Sequence, residues 1–341
     1  MSNPAPSCYF GKMSSSEQGH WPAAVAQIER RDFGHGVVRL SDAEVAADAA
    51  WLDALSEAAF LDKALNSVEI PALGLRLVRA QSAKFKKPRV ALMQPHFLPW
   101  LGYFELMAVA DEFIILDDFQ FSRQSWSHRN RIRTSPHRVG FVTLPIRHPG
   151  DPHANFLTVQ PQITALWLRK LDKTLEQVYG RSAHFDAVRA LFVSPLEHNW
   201  PNIAALEVQI IRNMAAYLGI VPKIRVSSEI TIKPGLGRSE RVRAILEAVG
   251  AGSYVAASGS FDYMREDGVF PVAGIDLRFQ NHQPIEYQHI GIEAGEFFPR
   301  LSAVDALFSL PKHDAENLVF GTHRFLRWYD MNRSANAGAT A

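Results

Sequence analysis

Cysteine is almost absent from this 341-residue chain, and Cys8 stands alone. One thiol excludes an internal disulfide framework and a cysteine-based zinc site, and it suits a reducing compartment. No apolar run approaches the ~18 residues of a membrane-spanning helix, and no basic-then-apolar leader opens the sequence. A soluble, cytoplasmic protein with no membrane partner is therefore expected. The formal net charge is +1, so no global field points toward nucleic acid. H-E-x-x-H, C-x-x-C, G-x-S-x-G, a His-His acyltransfer motif and a D-x-D pair are all missing. The 13 histidines are scattered, with no i, i+4 zinc pair in a clear helix, and no metal site is expected.

The run from Arg89 to Arg133 carries the most information. Arg89-Val-Ala-Leu-Met93 is a short apolar segment behind Pro88 and reads as a buried strand. Gln94-Pro95-His96-Phe97-Leu98-Pro99-Trp100 follows, and two prolines make it a rigid loop rather than a helix or central strand. Residues 102–110 fit one short helix. Glu112 to Leu116 is a second strand, and its apolar run stops at Asp117-Asp118. Strand, loop, helix and strand of this length make a βαβ unit, in which ligands gather at the carboxyl ends of the strands. His96 and the pair Asp117 and Asp118 are thus the candidate catalytic residues, with Gln94 beside them. A carboxylate near His96 is expected to fix its tautomer and raise its pKa toward neutrality.

Gln94-Pro-His-Phe-Leu-Pro-Trp100, Gly102-Tyr-Phe104, Leu116-Asp-Asp-Phe-Gln-Phe121 and Asn130-Arg131 resemble the opening motif of the WbqC-like family. Ser227-Ser228, Arg238-Ser-Glu-Arg241, Tyr287-Gln288 and Leu301-Ser302 with Asp305 follow in the family's order. Phe119 departs from the family's usual valine, and Leu307 to Pro311 also departs. The resemblance implies a place among bacterial O-antigen and surface-polysaccharide genes, and a glycyl (aminoacyl) transferase role has been proposed for such proteins. It implies no cofactor and no catalytic residue.

Residues 88–330 are expected to form the main domain, with 331–341 a disordered tail. Residues 1–80 hold ten acids against seven Lys and Arg. A capping box, Ser41-Asp-Ala-Glu44, precedes helix-like spacing over 41–66. Residues 1–20 read as disordered. A basic linker at 81–87 closes this α-rich N-terminal extension, residues 1–87.

Ser122 to Gly150 reads as a loop with six arginines and no acid. Such a stretch binds phosphate, pyrophosphate or carboxylate through forked hydrogen bonds, with Arg123, Arg129, Asn130 and Arg131 as candidates. A solvated loop, or pairing with the acidic N-terminal segment, competes with that reading. Helices are predicted over 161–179 and 201–218, and a strand over 220–226. Lys233-Pro-Gly-Leu-Gly-Arg-Ser239 then opens a helix to Val249, which makes Lys233, Arg238 and Ser239 a second anion-binding candidate. Residues 252–257 read as another strand with Ser258-Gly-Ser260 at its end.

The expected fold is α/β: a mainly parallel sheet flanked by helices, like nucleotide-alpha-hydrolase and nucleotidyltransferase folds by analogy. The leading functional expectation is a group transferase acting on an activated, phosphate-bearing small molecule. Aminoacyl transfer onto a sugar is the concrete form, with a nucleotide sugar as substrate and aminoacyl-tRNA as a transient donor. An adenylyl- or nucleotidyltransferase that activates a carboxylate is one alternative. A non-catalytic nucleotide-sugar or tRNA binding module is another.

Overall fold

The computed structural model describes residues 37–40, 67–70, 75–79, 87–123, 125–147, 150–293, 295–320 and 324–332. The chain divides into two units, Met1–Phe85 and Lys86–Ala341. In the first unit, β1 (Val37–Leu40) pairs parallel with β3 (Leu75–Arg79), and β2 (Ser67–Ile70) pairs antiparallel with β3 from the other side. The helix expected over 41–66, the disorder expected over 1–20 and residues 333–341 of the tail expected over 331–341 lie outside the described residues, whereas residues 331 and 332 are helical.

The second unit is built on a six-stranded sheet. Its strands are β4 (Arg89–Met93), β5 (Glu112–Ile115), β8 (Lys223–Val226), β9 (Ser253–Ala257), β10 (Asp276–Gln280) and β11 (Phe325–Arg327). The spatial order is β11-β10-β9-β4-β5-β8, parallel throughout except for antiparallel β11 at one edge. Val90, Ala91, Phe113, Ile114 and Ile115 are fully buried, as expected of central parallel strands covered on both faces. The chain runs outward from β4 through β5 to β8, then crosses back to β9 on the other side of β4. The topological switch therefore lies between β4 and β9, where ligands of open α/β sheets characteristically bind.

Helix α1 (Leu101–Ala108) links β4 to β5 and is buried along Gly102 to Met107. Its glycine is required: a Cβ on Gly102 would lie 2.3 Å from the Trp100 ring. Between β5 and β8 lie a hairpin and three helices, α2 (Ala165–Tyr179), α3 (Phe185–Leu196) and α4 (Ile203–Tyr217). Thr164 caps α2 through the Trp167 amide at 3.2 Å, and Asn202 caps α4 through the Ala205 amide at 2.9 Å. Helices α5 (Arg238–Ala248) and α6 (Phe261–Asp267) follow β8 and β9, and α7 (Ala303–Ser309) and α8 (Lys312–Phe320) follow β10. Val242, Ile245 and Leu246 of α5 join Phe261, Met264 and the strand residues Leu92, Tyr254 and Phe279 in one apolar cluster. No helix among the described residues is long and apolar enough to cross a membrane.

The arginine-rich stretch is not a loop. Residues Arg129–Ser135 (β6) and Arg138–Thr143 (β7) form an antiparallel hairpin. Ile132 is fully buried, Val139 and Val142 are partly buried, and the arginine stems add apolar length between them. Arg133 points inward with no exposed side-chain surface. Its Nε donates to Asp305 Oδ2 at 2.7 Å, and its Nη1 donates to the Ile290 carbonyl at 2.9 Å. Asp305, equally buried, also accepts from the Tyr179 hydroxyl at 2.7 Å, the Tyr287 hydroxyl at 3.0 Å and His289 Nδ1 at 2.6 Å. The Phe298 amide donates to His289 Nε2 at 3.0 Å, which makes His289 the neutral Nδ1–H tautomer. Burial alone would raise the Asp305 pKa, but His289 and the Arg133 charge outweigh it and hold the carboxyl below its ordinary value.

Three outcomes are expected. Asp305→Asn keeps the shape but strands the buried Arg133 charge, and should cost about 3–5 kcal/mol in chemical denaturation. An Arg133→Met, Asp305→Leu double variant should recover much of that loss, and a double loss equal to the sum of the singles would count against the pairing. A chain beginning at Lys84 should remain soluble and unfold cooperatively; aggregation would show that earlier residues cover an apolar face.

Candidate functional site

The parallel strands β4, β5, β8, β9 and β10 end on one edge of the sheet, and the polar loops follow them there. Asp117 and Asp118 leave β5 beside Ser227 and Ser228, which leave β8. Asp117 Oδ1 accepts from the Ser228 amide at 2.9 Å, and its Oδ2 accepts from the Ser228 hydroxyl at 2.6 Å. Ser227 Oγ lies 3.1 Å from Asp117 Oδ1 and also contacts Asp118 Oδ1, so one hydroxyl proton serves both carboxylates. Asp118 turns its other oxygen to Arg241 Nη2 at 2.7 Å, and that guanidinium lies 4.2 Å over the Phe119 ring. Asp117 is buried and fixed, whereas the Asp118 side chain is 25% exposed.

Asp118 and Arg241 form one wall of an open pocket of about 380 Å³, completed by Ile230, Thr231, Lys233 and Gly235. Gly235 has φ +77°, a left-handed conformation that glycine adopts without strain. Lys233 is exposed and makes no ion pair or hydrogen bond among the described residues. The pocket thus carries one cation held by a carboxylate and one cation without a partner.

Arg238 and Ser239, expected beside Lys233 as anion ligands, are engaged elsewhere. Arg238 grips Asp267 of α6 with two hydrogen bonds of 3.0 Å, and the Ser239 hydroxyl donates to the same carboxylate. These contacts, from Arg238 first and then Ser239, lower the Asp267 pKa to about 2. The protein's own carboxylate occupies the place expected for a ligand anion. Lys233 remains.

The expected pairing of His96 with the acids is not formed. His96 Nδ1 is sealed from solvent with no partner, and its ring lies 5.4 Å from that of Tyr103. Burial lowers its pKa to about 4 instead of raising it, so the imidazole is neutral at physiological pH. Gln94 gives its carbonyl to the Tyr103 hydroxyl at 3.3 Å.

Asn130 is likewise structural. It is 1% exposed, donating to the Leu98 carbonyl at 2.7 Å and accepting from the Arg131 amide at 2.8 Å. It thereby secures Leu98 at φ +50°, a strained value for a branched residue. Arg129 lies over the Phe141 ring at 4.7 Å, Arg131 is half-buried on the same hairpin, and Arg123 sits in the exposed turn before it.

Sequence reasoning missed two groups. Ser227, Ser228 and Arg241 were legible as hydroxyls ending a strand and a cation one turn into a helix. Glu105, Gln280 and His282 were not, because α1 and β10 are 170 residues apart in sequence. Gln280 Nε2 and His282 Nδ1 both contact Glu105 Oε2, the former at 2.7 Å. Among the described residues, no group of three or more His, Cys, Asp or Glu is placed to hold a metal ion.

The fold and this edge define an open, mostly parallel α/β protein with a cation-bearing pocket where β5 and β8 end. The chain belongs to the WbqC-like protein family, whose model matches residues 94–317. Uncharacterized protein Rv1507c of Mycobacterium tuberculosis is 29% identical over 225 residues, covering 65% of this chain and 94% of its own length. No solved structure matches the chain.

The depressed His96 pKa has a measurable consequence. Below pH 6.5 the unfolded chain takes up a proton that the native state refuses until about pH 4, so stability falls as pH drops through that window. His96→Gln should flatten this part of a stability-versus-pH curve measured by urea denaturation. Equal slopes in the parent and the variant would show that His96 is freely protonated in the fold.

Proposed function

We propose that this protein is a group transferase whose pocket at the ends of β5 and β8 holds the anionic part of an activated small-molecule donor. One observation carries the reading: Lys233 stands unpaired beside Arg241 on the wall of a 380 Å³ pocket. An unpaired cation on a pocket wall favours a phosphate or pyrophosphate group. Asp118 is the neighbouring carboxylate, tied to Arg241 and a serine hydroxyl, and it orients whatever approaches the bound anion. Aminoacyl transfer onto a sugar in surface-polysaccharide biosynthesis, carried out in the cytoplasm, is the finer form, supported by what the family resemblance implies. Aminoacyl-tRNA or a nucleotide-linked compound would then be the donor.

A second reading, nucleotidyl or adenylyl transfer from ATP, is favoured by a separate observation: the strand order places a topological switch between β4 and β9. The two readings separate by product, because only the second releases pyrophosphate from ATP.

Inorganic pyrophosphate should raise the melting temperature of the full chain and bind in a salt-sensitive manner. Lys233→Ala should weaken that binding about tenfold, roughly 1.4 kcal/mol. Arg238→Ala should leave it unchanged, because Asp267 already occupies that guanidinium. Salt-insensitive binding, or equal loss in both variants, would overturn the assignment of the pocket.

A further inference from the structure

A second group on the same sheet edge has the architecture of an acid–base dyad. His282 follows β10 by two residues, and Glu105 lies one turn into α1. The Glu105 side chain is 4% exposed and that of His282 is 12% exposed. Glu105 Oε2 receives the Gln280 side-chain amide at 2.7 Å, and the same amide donates to the Gly102 carbonyl at 2.7 Å. Gln280 thereby locks the carboxylate to its own helix. Its lone pairs then meet His282 Nδ1. A carboxylate accepts only, so Nδ1 carries a hydrogen, and in the neutral form of the ring Nε2 carries the lone pair. Among the described residues Nε2 makes no hydrogen bond, and it is not sealed from solvent.

The surroundings of the ring are those of a small binding site. Trp100 stands edge-on to it at 4.7 Å. His282, Trp100, Tyr287, Phe297, Phe298 and Arg300 line an aromatic pocket of about 30 Å³, room for one or two water-sized groups. Arg300 is exposed, has no ion pair among the described residues, and holds φ +59°, a strained backbone for a long side chain. Ser302 secures this segment beside Trp100, its amide bonded to the Arg131 carbonyl at 2.8 Å and its neighbour Ala303 to the Pro99 carbonyl at 2.8 Å. An imidazole oriented by a buried carboxylate, a water-sized recess and a free guanidinium on strained backbone are thus gathered in one place.

We propose that His282 is the general base for the acceptor, that Glu105 is its positioning residue, and that Arg300 holds an anionic group on that acceptor. The acceptor class is a small molecule with a hydroxyl or amine close to a carboxylate or phosphate, with only the reacting group entering the recess. The role as base rests on the group-transfer reading above; the chemistry of the imidazole does not. In the transfer, the acceptor oxygen or nitrogen forms a bond to the donor's acyl or phosphoryl atom as the bond to the leaving group breaks. His282 Nε2 takes the acceptor's proton and passes it to the leaving group. The β10 end lies three strand spacings from the β5 end, about 14 Å. A donor that reaches both sites must be at least that long, which favours an extended, nucleotide-linked compound over a simple acyl phosphate.

Two measurements on the full chain test this without knowledge of the substrate. Nitrogen-15 NMR of labelled histidine should show His282 as the Nδ1–H tautomer in the parent and as a tautomer mixture in Glu105→Gln. Diethyl pyrocarbonate, read by peptide mass spectrometry, should modify His282 as fast as exposed His153, despite its lower exposure. Inorganic phosphate should slow that modification several-fold in the parent and have no effect in Arg300→Ala. Lys233→Ala should leave all of this unchanged, so that failure of the pocket assignment and failure of the dyad are told apart. A dominant Nε2–H tautomer, or an inert His282 in the folded parent, would overturn the base assignment. Phosphate protection that survives Arg300→Ala would overturn the anion assignment.

Discussion

A buried carboxylate cannot stay charged in an apolar interior without partners that replace its water, and Asp305 meets that constraint with four side chains from three segments. Arg133 comes from the hairpin, Tyr179 from the end of α2, and Tyr287 and His289 from the stretch after β10. Each contact also positions a neighbouring segment. Arg133 fixes the hairpin, and the hairpin's Asn130 and Arg131 hold the Gln94–Trp100 loop and Ser302. Tyr287 and the segment up to Ser302 then form the wall that faces His282. The Arg133 Nη2 atom is left without a partner, so removing Asp305 would leave a buried charge with little to hold it.

The acidic residues of this protein show how environment divides one chemistry into several roles. Asp267 is exposed but doubly bound by Arg238, and that internal pair withdraws a cation from the sheet edge. Asp117 is an anchor for two serines, and Asp118 shares its charge with Arg241 at a pocket wall. Glu207 lies inside α4 with both oxygens buried and unpartnered, and burial raises its pKa well above the usual carboxylate range. Its proximity contributes to the raised Tyr103 pKa after burial, which is the larger cause. Neither Glu207 nor His96 lines the two pockets described above.

Several elements were legible from local pattern because their causes are local. The apolar run Arg89–Met93, the prolines at 95 and 99 and the acids ending β5 all express constraints that act over a few residues, and the helix expected from Pro201 begins two residues later, capped by Asn202. The predicted strands at 220–226 and 252–257 and the helix from Arg238 were found with shifts of one to three residues at their ends. The Ser122–Gly150 stretch was misread as a loop because arginine stems, which pack as apolar side chains do, are scored as polar.

By itself the sequence determined the family, the α/β class and the polar loops at the strand ends, because periodicity, prolines and motif order are carried within short segments. Which polar residues face a ligand was decided only by the tertiary structure. Arg238 and Ser239 turned to Asp267, Asn130 to Leu98 and Arg133 to Asp305, each meeting a partner between 28 and 172 residues away. The Glu105–His282 pair, 177 residues apart, exists only because α1 packs across the end of β10. A side chain's charge is written in the sequence, but whether water, a ligand or another side chain satisfies it depends on what the fold brings within hydrogen-bond reach.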